Sequence, residues 1–237
     1  MGGYMFKFYR AAVAAVAASL LISGSAMAGT VTYSSQASFL AAVGSYITDD
    51  YSNPGYLKSF GGPPNIMTDA YMSSVLHETQ YVATKWSNAN LVVGSPAQPF
   101  YCTGCNGSFD LIFKTTSLST GGGVYGVSFN YRNGFPRTTD TGFDFFVTFA
   151  DGSSWDFVPP LSTSTLPNDF FGITSDLQIA DIYIGDHHTP SSNTRFLLDN
   201  LTIAAAKAPA RVPEPLSLGM FGAGLAGLAA LRRRKWA

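Results

Sequence analysis

Charge is what this 237-residue chain has least of: only 12% of its residues are Asp, Glu, Lys or Arg. The few bases are also unevenly spread. Lys7 and Arg10 stand at the front and Arg232, Arg233, Arg234 and Lys235 at the back, which leaves residues 29–211 with eight bases against fourteen acids, a net charge of −6. A body of that sign cannot gather the lysine and arginine that neutralise a phosphate backbone, so nucleic acid is excluded as a partner. Glutamate is nearly absent, Glu78 being the one between residues 29 and 211. Glycoside hydrolysis needs two facing carboxylates, so both would be aspartates, and most aspartates sit in turn sequences such as Asp151-Gly152 and Thr139-Asp140-Thr141-Gly142. Two cysteines are too few for a four-thiolate zinc site, and Asn106 stands where haem attachment needs histidine. No Gly-x-Ser-x-Gly elbow occurs, which removes the commonest esterase signature. Disorder is excluded in turn, because 46% of the residues are hydrophobic and 14% aromatic, enough for a buried core.

What is present begins with a leader. Lys7 and Arg10 precede an apolar run from Ala11 to Ile22 broken only by Ser19, and Ala26-Met27-Ala28 follows. A positive start, a short apolar core and small residues at −3 and −1 make a signal peptide over residues 1–28, with cleavage between Ala28 and Gly29 by signal peptidase. The run is far shorter than the ~20 residues of a full membrane span. Export, and with it an oxidising compartment, is therefore expected.

The other end has three parts in order. Val212-Pro213-Glu214-Pro215 is held extended by its prolines, Leu216–Leu231 is an uncharged stretch rich in Leu, Ala and Gly, and Arg232-Arg233-Arg234-Lys235 follows at once. Sixteen residues reach about 24 Å as a helix, and snorkelling basic stems extend that span, so a single transmembrane helix with a cytoplasmic basic end is expected. Gly219, Gly222, Gly224 and Gly227 would let a partner helix approach. Over residues 212–237 this tail resembles the PEP-CTERM sorting signal of Gram-negative bacteria, also called the ice-binding protein C-terminal domain. The resemblance implies an inner-membrane-anchored precursor recognised by an exosortase near Pro213-Glu214-Pro215, then delivery to the cell surface or extracellular matrix.

Between the ends, residues 29–203 alternate with the period of strands, and residues 204–211, rich in Ala and Pro, make a linker. Tyr125, Val127, Phe129 and Tyr131 recur every second residue, as do Phe143, Phe145, Val147 and Phe149, and Asp151-Gly152 predicts a hairpin from the second run into Trp155-Asp156-Phe157. Further strands are expected at 111–114, 179–184 and 196–203, with one helix over 35–43 capped by Ser35. Many short strands between Gly, Pro, Asn and Ser turns predict one all-β domain, an antiparallel two-sheet sandwich or jelly roll. Gly121-Gly122-Gly123-Val124-Tyr125-Gly126 has the letters of a dinucleotide fingerprint, but it opens a strand and reads as a turn. From Phe170 to Leu201 the chain is similar to the closing half of many PEP-CTERM ectodomains, which are jelly rolls akin to carbohydrate-binding modules.

Several constellations could carry chemistry. Cys102-Thr103-Gly104-Cys105, once exported, reads as a small disulfide loop. His187-His188 after Asp186 reads first as a solvated loop, and His77-Glu78 lacks the second histidine of a metalloprotease helix. Asp199 lies inside an apolar strand, where it either faces solvent or is satisfied by backbone amides or a hard cation. The jelly-roll likeness implies a structural calcium where first and last strands meet, with Asp49 or Asp50 as the partner of Asp199. Trp86, Trp155, Tyr101, Tyr131, Tyr183 and several other rings could stack on sugars where exposed, or fill the core where buried. Together these features predict a non-enzymatic surface protein acting in adhesion or polysaccharide and biofilm-matrix association. A hydrolase using Asp181, Asp199 or His188 and a purely structural matrix protein are the alternatives.

Overall fold

The structure is a computed structural model that describes residues 29–118, 121–134, 142–186 and 196–207. The leader, the sorting tail, Asp140, His187 and His188 lie outside the described residues.

The period-two runs form strands. Strand β7 (Val124–Asn133) buries Val127, Phe129 and Tyr131, and β8 (Asp144–Phe149) buries Phe145, Val147 and Phe149 directly after buried Phe143. The hairpin into β9 (Ser154–Phe157) is closed by Phe149 N donating to Ser153 O at 2.9 Å. Gly152 takes φ 84°, and the Asp151 carboxylate accepts from Ser153 N and Oγ. Helix α1 (Gln36–Ala42) starts at Ser35, whose Oγ accepts from Ser38 N at 3.3 Å. Its buried Phe39 lies over Gly126 and Gly172, where any Cβ would stand 3.2 Å from the ring. Bare backbone at those two sites lets the helix seat on the sheet.

The remaining elements are β1 (Thr30–Tyr33), β2 (Tyr46–Asp49), α2 (Asp69–Ser74), β3 (Gln80–Ala83), β4 (Asn90–Ser95), β5 (Gln98–Thr103), β6 (Phe109–Ile112), β10 (Asp169–Gly185) and β11 (Phe196–Ala204). Strand β6 lies two residues earlier than the sequence suggests, β10 begins ten residues before the expected 179–184, and β1 to β5 and helix α2 were not expected. The last strand runs through Ala204, and Ala205 N donates to Ser45 O at 2.8 Å, so the start of the expected linker is part of the body.

Two separate sheets were expected; among the described residues eleven strands instead form one antiparallel network, ordered β3-β6-β10-β7-β11-β5-β4. Strands β1 and β8 add to β10, β2 adds to β11, and β9 adds to β8. The reason lies in β10, whose 17 residues would extend about 55 Å if straight, more than the ~40 Å breadth of a compact body this size. It shifts register between Ile179 and Asp181, pairing with β7 and β1 before the irregularity and with β6 and β8 around and after it. The sheet thus folds over on itself in a barrel-like way. Phe145 of β8 packs 5.2 Å from Phe129 of β7 and 5.0 Å from Phe171 of the first half of β10, ring centre to ring centre. That aromatic layer is the heart of the core.

Candidate functional site

The cysteines build a small platform. Cys102 and Cys105 are joined as a disulfide, and Gly104 and Cys105 turn left-handed at φ 52° and 56°. Gly104 N donates to Ala89 O at 2.8 Å, which ties this loop to the 84–89 loop carrying Trp86. The indole is fixed from several sides. Its Nε1 donates to Asn106 Oδ1 at 2.8 Å, Lys85 Nζ sits 5.3 Å from its ring centre, and a Cβ on Gly104 or Gly107 would come within 2.7 Å of its Cδ1. Yet Trp86 remains 46% exposed. Of the five rings named from the sequence it is the one that faces solvent: Tyr101, Tyr131 and Tyr183 are buried, and half-buried Trp155 stacks on Phe157 and Phe171.

Two residues beyond Trp86, Asn88 lines a cleft of about 730 Å³ between α2 and β3. The cleft wall is mixed: Asp69, Ser73, Thr79, Gln80 and Thr115 bring hydroxyl, amide and acid groups, Ala70, Tyr81 and Val82 bring apolar surface, and His77 stands at its side. Thr68 caps α2 through Tyr71 N at 3.1 Å, while Asn88 Oδ1 accepts from Asp69 N at 3.0 Å. The Asp69 carboxylate accepts from Asn90 Nδ2 at 2.7 Å and Ala83 N at 3.2 Å, locking helix to strands. Sequence reasoning missed this cleft. Its one local signal is Thr68-Asp69 ahead of Ala70-Tyr71-Met72, a helix start with a cap and an acid in the first turn.

The aspartates proposed for calcium do come to one joint, because β2 pairs with β11 and Asp49 faces Leu201. Their side chains serve different ends. Asp49 is buried and accepts from the phenols of Tyr56 and Tyr81 and from Tyr51 N at 2.9 Å. Burial lifts its pKa above the ordinary carboxylate value, and those hydrogen bonds offset only part of the rise. Asp50 accepts from Ser52 N and Oγ at 2.9 and 2.6 Å, which holds its pKa low. Asp199 is 6% exposed and accepts from Asn200 N at 2.8 Å, and burial, with smaller contributions from Asp50 and Asp49, pushes it up to about 6. Among the described residues no three His, Cys, Asp or Glu side chains converge on a metal position.

The other acids divide similarly. Glu78 binds Thr116 Oγ1, Ser117 N and Ser117 Oγ within 2.8 Å; burial works against its charge, but these bonds prevail and its pKa falls. His77 is exposed, with φ 61°. Asp181 faces Ile112 and Asp110 faces Tyr183 across the β6–β10 pair, so the two carboxylates are diagonal neighbours on one face. Burial, then repulsion from Asp181, pushes Asp110 up to about 6. Nothing local to Asp110 points to this pairing, because its partner lies 71 residues later in the chain.

Among the described residues no helix is long and apolar enough to cross a membrane. The sorting residues Val212–Pro215 and Arg232–Lys235, like Ala26 and Ala28 of the leader, lie outside the described residues. No curated protein and no solved structure matches the chain, so the likeness to carbohydrate-binding jelly rolls finds no support there. Residues 211–235 do match a known family, the PEP-CTERM protein-sorting motif. The chain therefore carries a PEP-CTERM sorting motif, which implies an exported protein sorted by an exosortase.

Proposed function

We propose that this exosortase-sorted protein works at the cell surface or in the extracellular matrix by holding polysaccharide, without turning it over. In this reading signal peptidase removes the leader, and residues 216–231 anchor the precursor until the exosortase acts. The observation that carries the reading is the pairing of an immobilised, solvent-facing indole with a nearby cleft whose mixed wall includes several hydroxyls and amides. An exposed ring fixed at its edges presents a flat apolar face to the C–H face of a sugar, while hydroxyls and amides exchange hydrogen bonds with its rim. Such contacts are weak singly and gain strength from many copies on one surface. The test is capture of purified protein on extracellular polysaccharide from the native host and on a glycan array. Capture well above an albumin control, falling at least fivefold in Trp86→Ala with an unchanged Tm, supports the proposal; capture no better than albumin overturns it.

One observation favours a second reading. The Asp110–Asp181 pair offers a carboxyl raised toward neutrality beside another acid, the arrangement a glycosidase uses. Sugar release that vanishes in both Asp110→Asn and Asp181→Asn would replace binding with hydrolysis.

A further inference from the structure

The first described residue is tied to the body at both of its backbone groups. Gly29 N donates to Asp176 Oδ2 at 3.1 Å, and Gly29 O accepts from Asp176 N at 3.3 Å. From Thr30 onward β1 runs beside β10, Thr30 facing Ser175 and Tyr33 facing Gly172. A Cβ at position 29 would stand 3.1 Å from Asp176 Oδ2, so glycine lets the carboxylate sit a few tenths of an ångström closer than a larger residue would.

The same nitrogen is the one that the leader pattern marks for release. We propose that hydrolysis of the Ala28–Gly29 bond creates an α-ammonium that pairs with Asp176, so that maturation itself completes the β1–β10 edge. In that hydrolysis water gives its hydroxyl to the Ala28 carbonyl carbon as the C–N bond breaks and a proton to the Gly29 nitrogen, and the new Ala28 carboxylic acid releases its proton to that amine, leaving a carboxylate and an ammonium. An amide donor beside a carboxylate thereby becomes a cation beside it, and a charge-assisted bond is the stronger of the two. An opposite charge at this range also favours the protonated amine, whose ordinary pKa lies near 7.7–8.0. Asp176 thus acts as a receptor for the mature N-terminus that the precursor cannot fully use.

The experiment uses full-length protein exported to a bacterial periplasm. Intact mass establishes the start, and the α-amine is then acylated at pH 7 with an amine-selective reagent, in the wild type and in Asp176→Asn. The expected result is a chain starting at Gly29 whose α-amine reacts at least threefold more slowly in the wild type than in Asp176→Asn, the gap closing in 1 M salt as the pair is screened. Among the described residues the Asp176 side chain has no other bond to lose than the one from Gly29 N, and an exposed ion pair contributes little to stability, so cooperative melts with at most a small loss in Tm are expected and serve to show that both proteins are folded. A mature start at any other residue, or equal acylation rates in two folded proteins, overturns the proposal. Should Asp176→Asn fail to fold, the salt response of the wild type alone decides: a salt-independent rate equal to that of an unstructured Gly-Thr-Val peptide overturns it.

Discussion

At the scale of single residues, Asp49 shows how a buried acid is held by donors from its own chain. Three donors from Tyr51, Tyr56 and Tyr81 converge on one carboxylate, and Tyr51 and Tyr81 touch each other at 3.2 Å through their hydroxyls. Removing the acceptor strands those donors, and each buried group left unsatisfied costs about 1–3 kcal/mol. Asp49→Ala is therefore expected to lose about 3 kcal/mol or more in urea unfolding, whereas Asp49→Asn, which keeps one acceptor oxygen, loses about 1 kcal/mol. Equal losses would show that the tyrosines find other partners. None of this was legible in Thr48-Asp49-Asp50-Tyr51, because two of the phenols arrive from other elements. The sequence suggested a Cys102–Cys105 disulfide, with which the structure is compatible, and offered Trp86 among several candidate rings without saying which are exposed. It could not choose Trp86, since what fixes that ring is Asn106 and Gly107, brought across by the fold.

At the scale of elements, glycine decides where backbones cross. Gly123, at φ 133° just ahead of β7, would place a Cβ 2.0 Å from Ile179 O of β10, beside the register shift. A strained backbone and a steric clash coincide there, so Gly123→Ala should cost about 2–4 kcal/mol, whereas Gly152→Ala, at φ 84° with open space around it, should cost about 1 kcal/mol. Comparable melts for the two variants would show that β10 yields easily at its bulge. Strands β7, β8, β9 and β11, the hairpin and α1 could be read from the chain because each is written in local periodicity, a turn or a cap, whereas β1 to β5, of four to six residues each, show no such run. Helix α2 has six residues, too few for an apolar stripe to repeat. The fold-over of the sheet was equally hidden: β10 reads as a long apolar segment, and nothing local says that its halves serve different neighbours.

At the scale of the whole molecule, titration follows from where the acids lie. Asp110 and Asp199 are raised to about 6, and Asp49 is raised too, against about 3.9 for an unfolded aspartate. A folded state that holds protons more tightly is most stable below its own pKa and loses that advantage as pH rises through it. Asp50, Glu78 and Asp151 are lowered, so their contribution is present above about pH 4 and is lost only on further acidification. The Tm should therefore climb from pH 7.5 to 5 and drop below pH 4. After allowance for solvent screening, Asp110 and Asp199 supply about 1 kcal/mol each over the upper window, or about 2–4 °C apiece. Scanning calorimetry across this range tests it, and Asp110→Asn should flatten part of the climb; a Tm that falls steadily from pH 7.5 to 5 would contradict the burial assigned to these acids.

Strand β11 is the final strand of the body in chain order, yet it lies inside the sheet, flanked by β7 on one side and by β2 and β5 on the other. A ribosome and a secretion channel deliver the chain from its front, so the middle plank arrives after its neighbours. A chain cut short before residue 196 would leave those neighbours with nothing to zip onto, and only a product translated almost to the sorting motif can close. Any molecule that presents the motif has thus already emitted every strand its body needs.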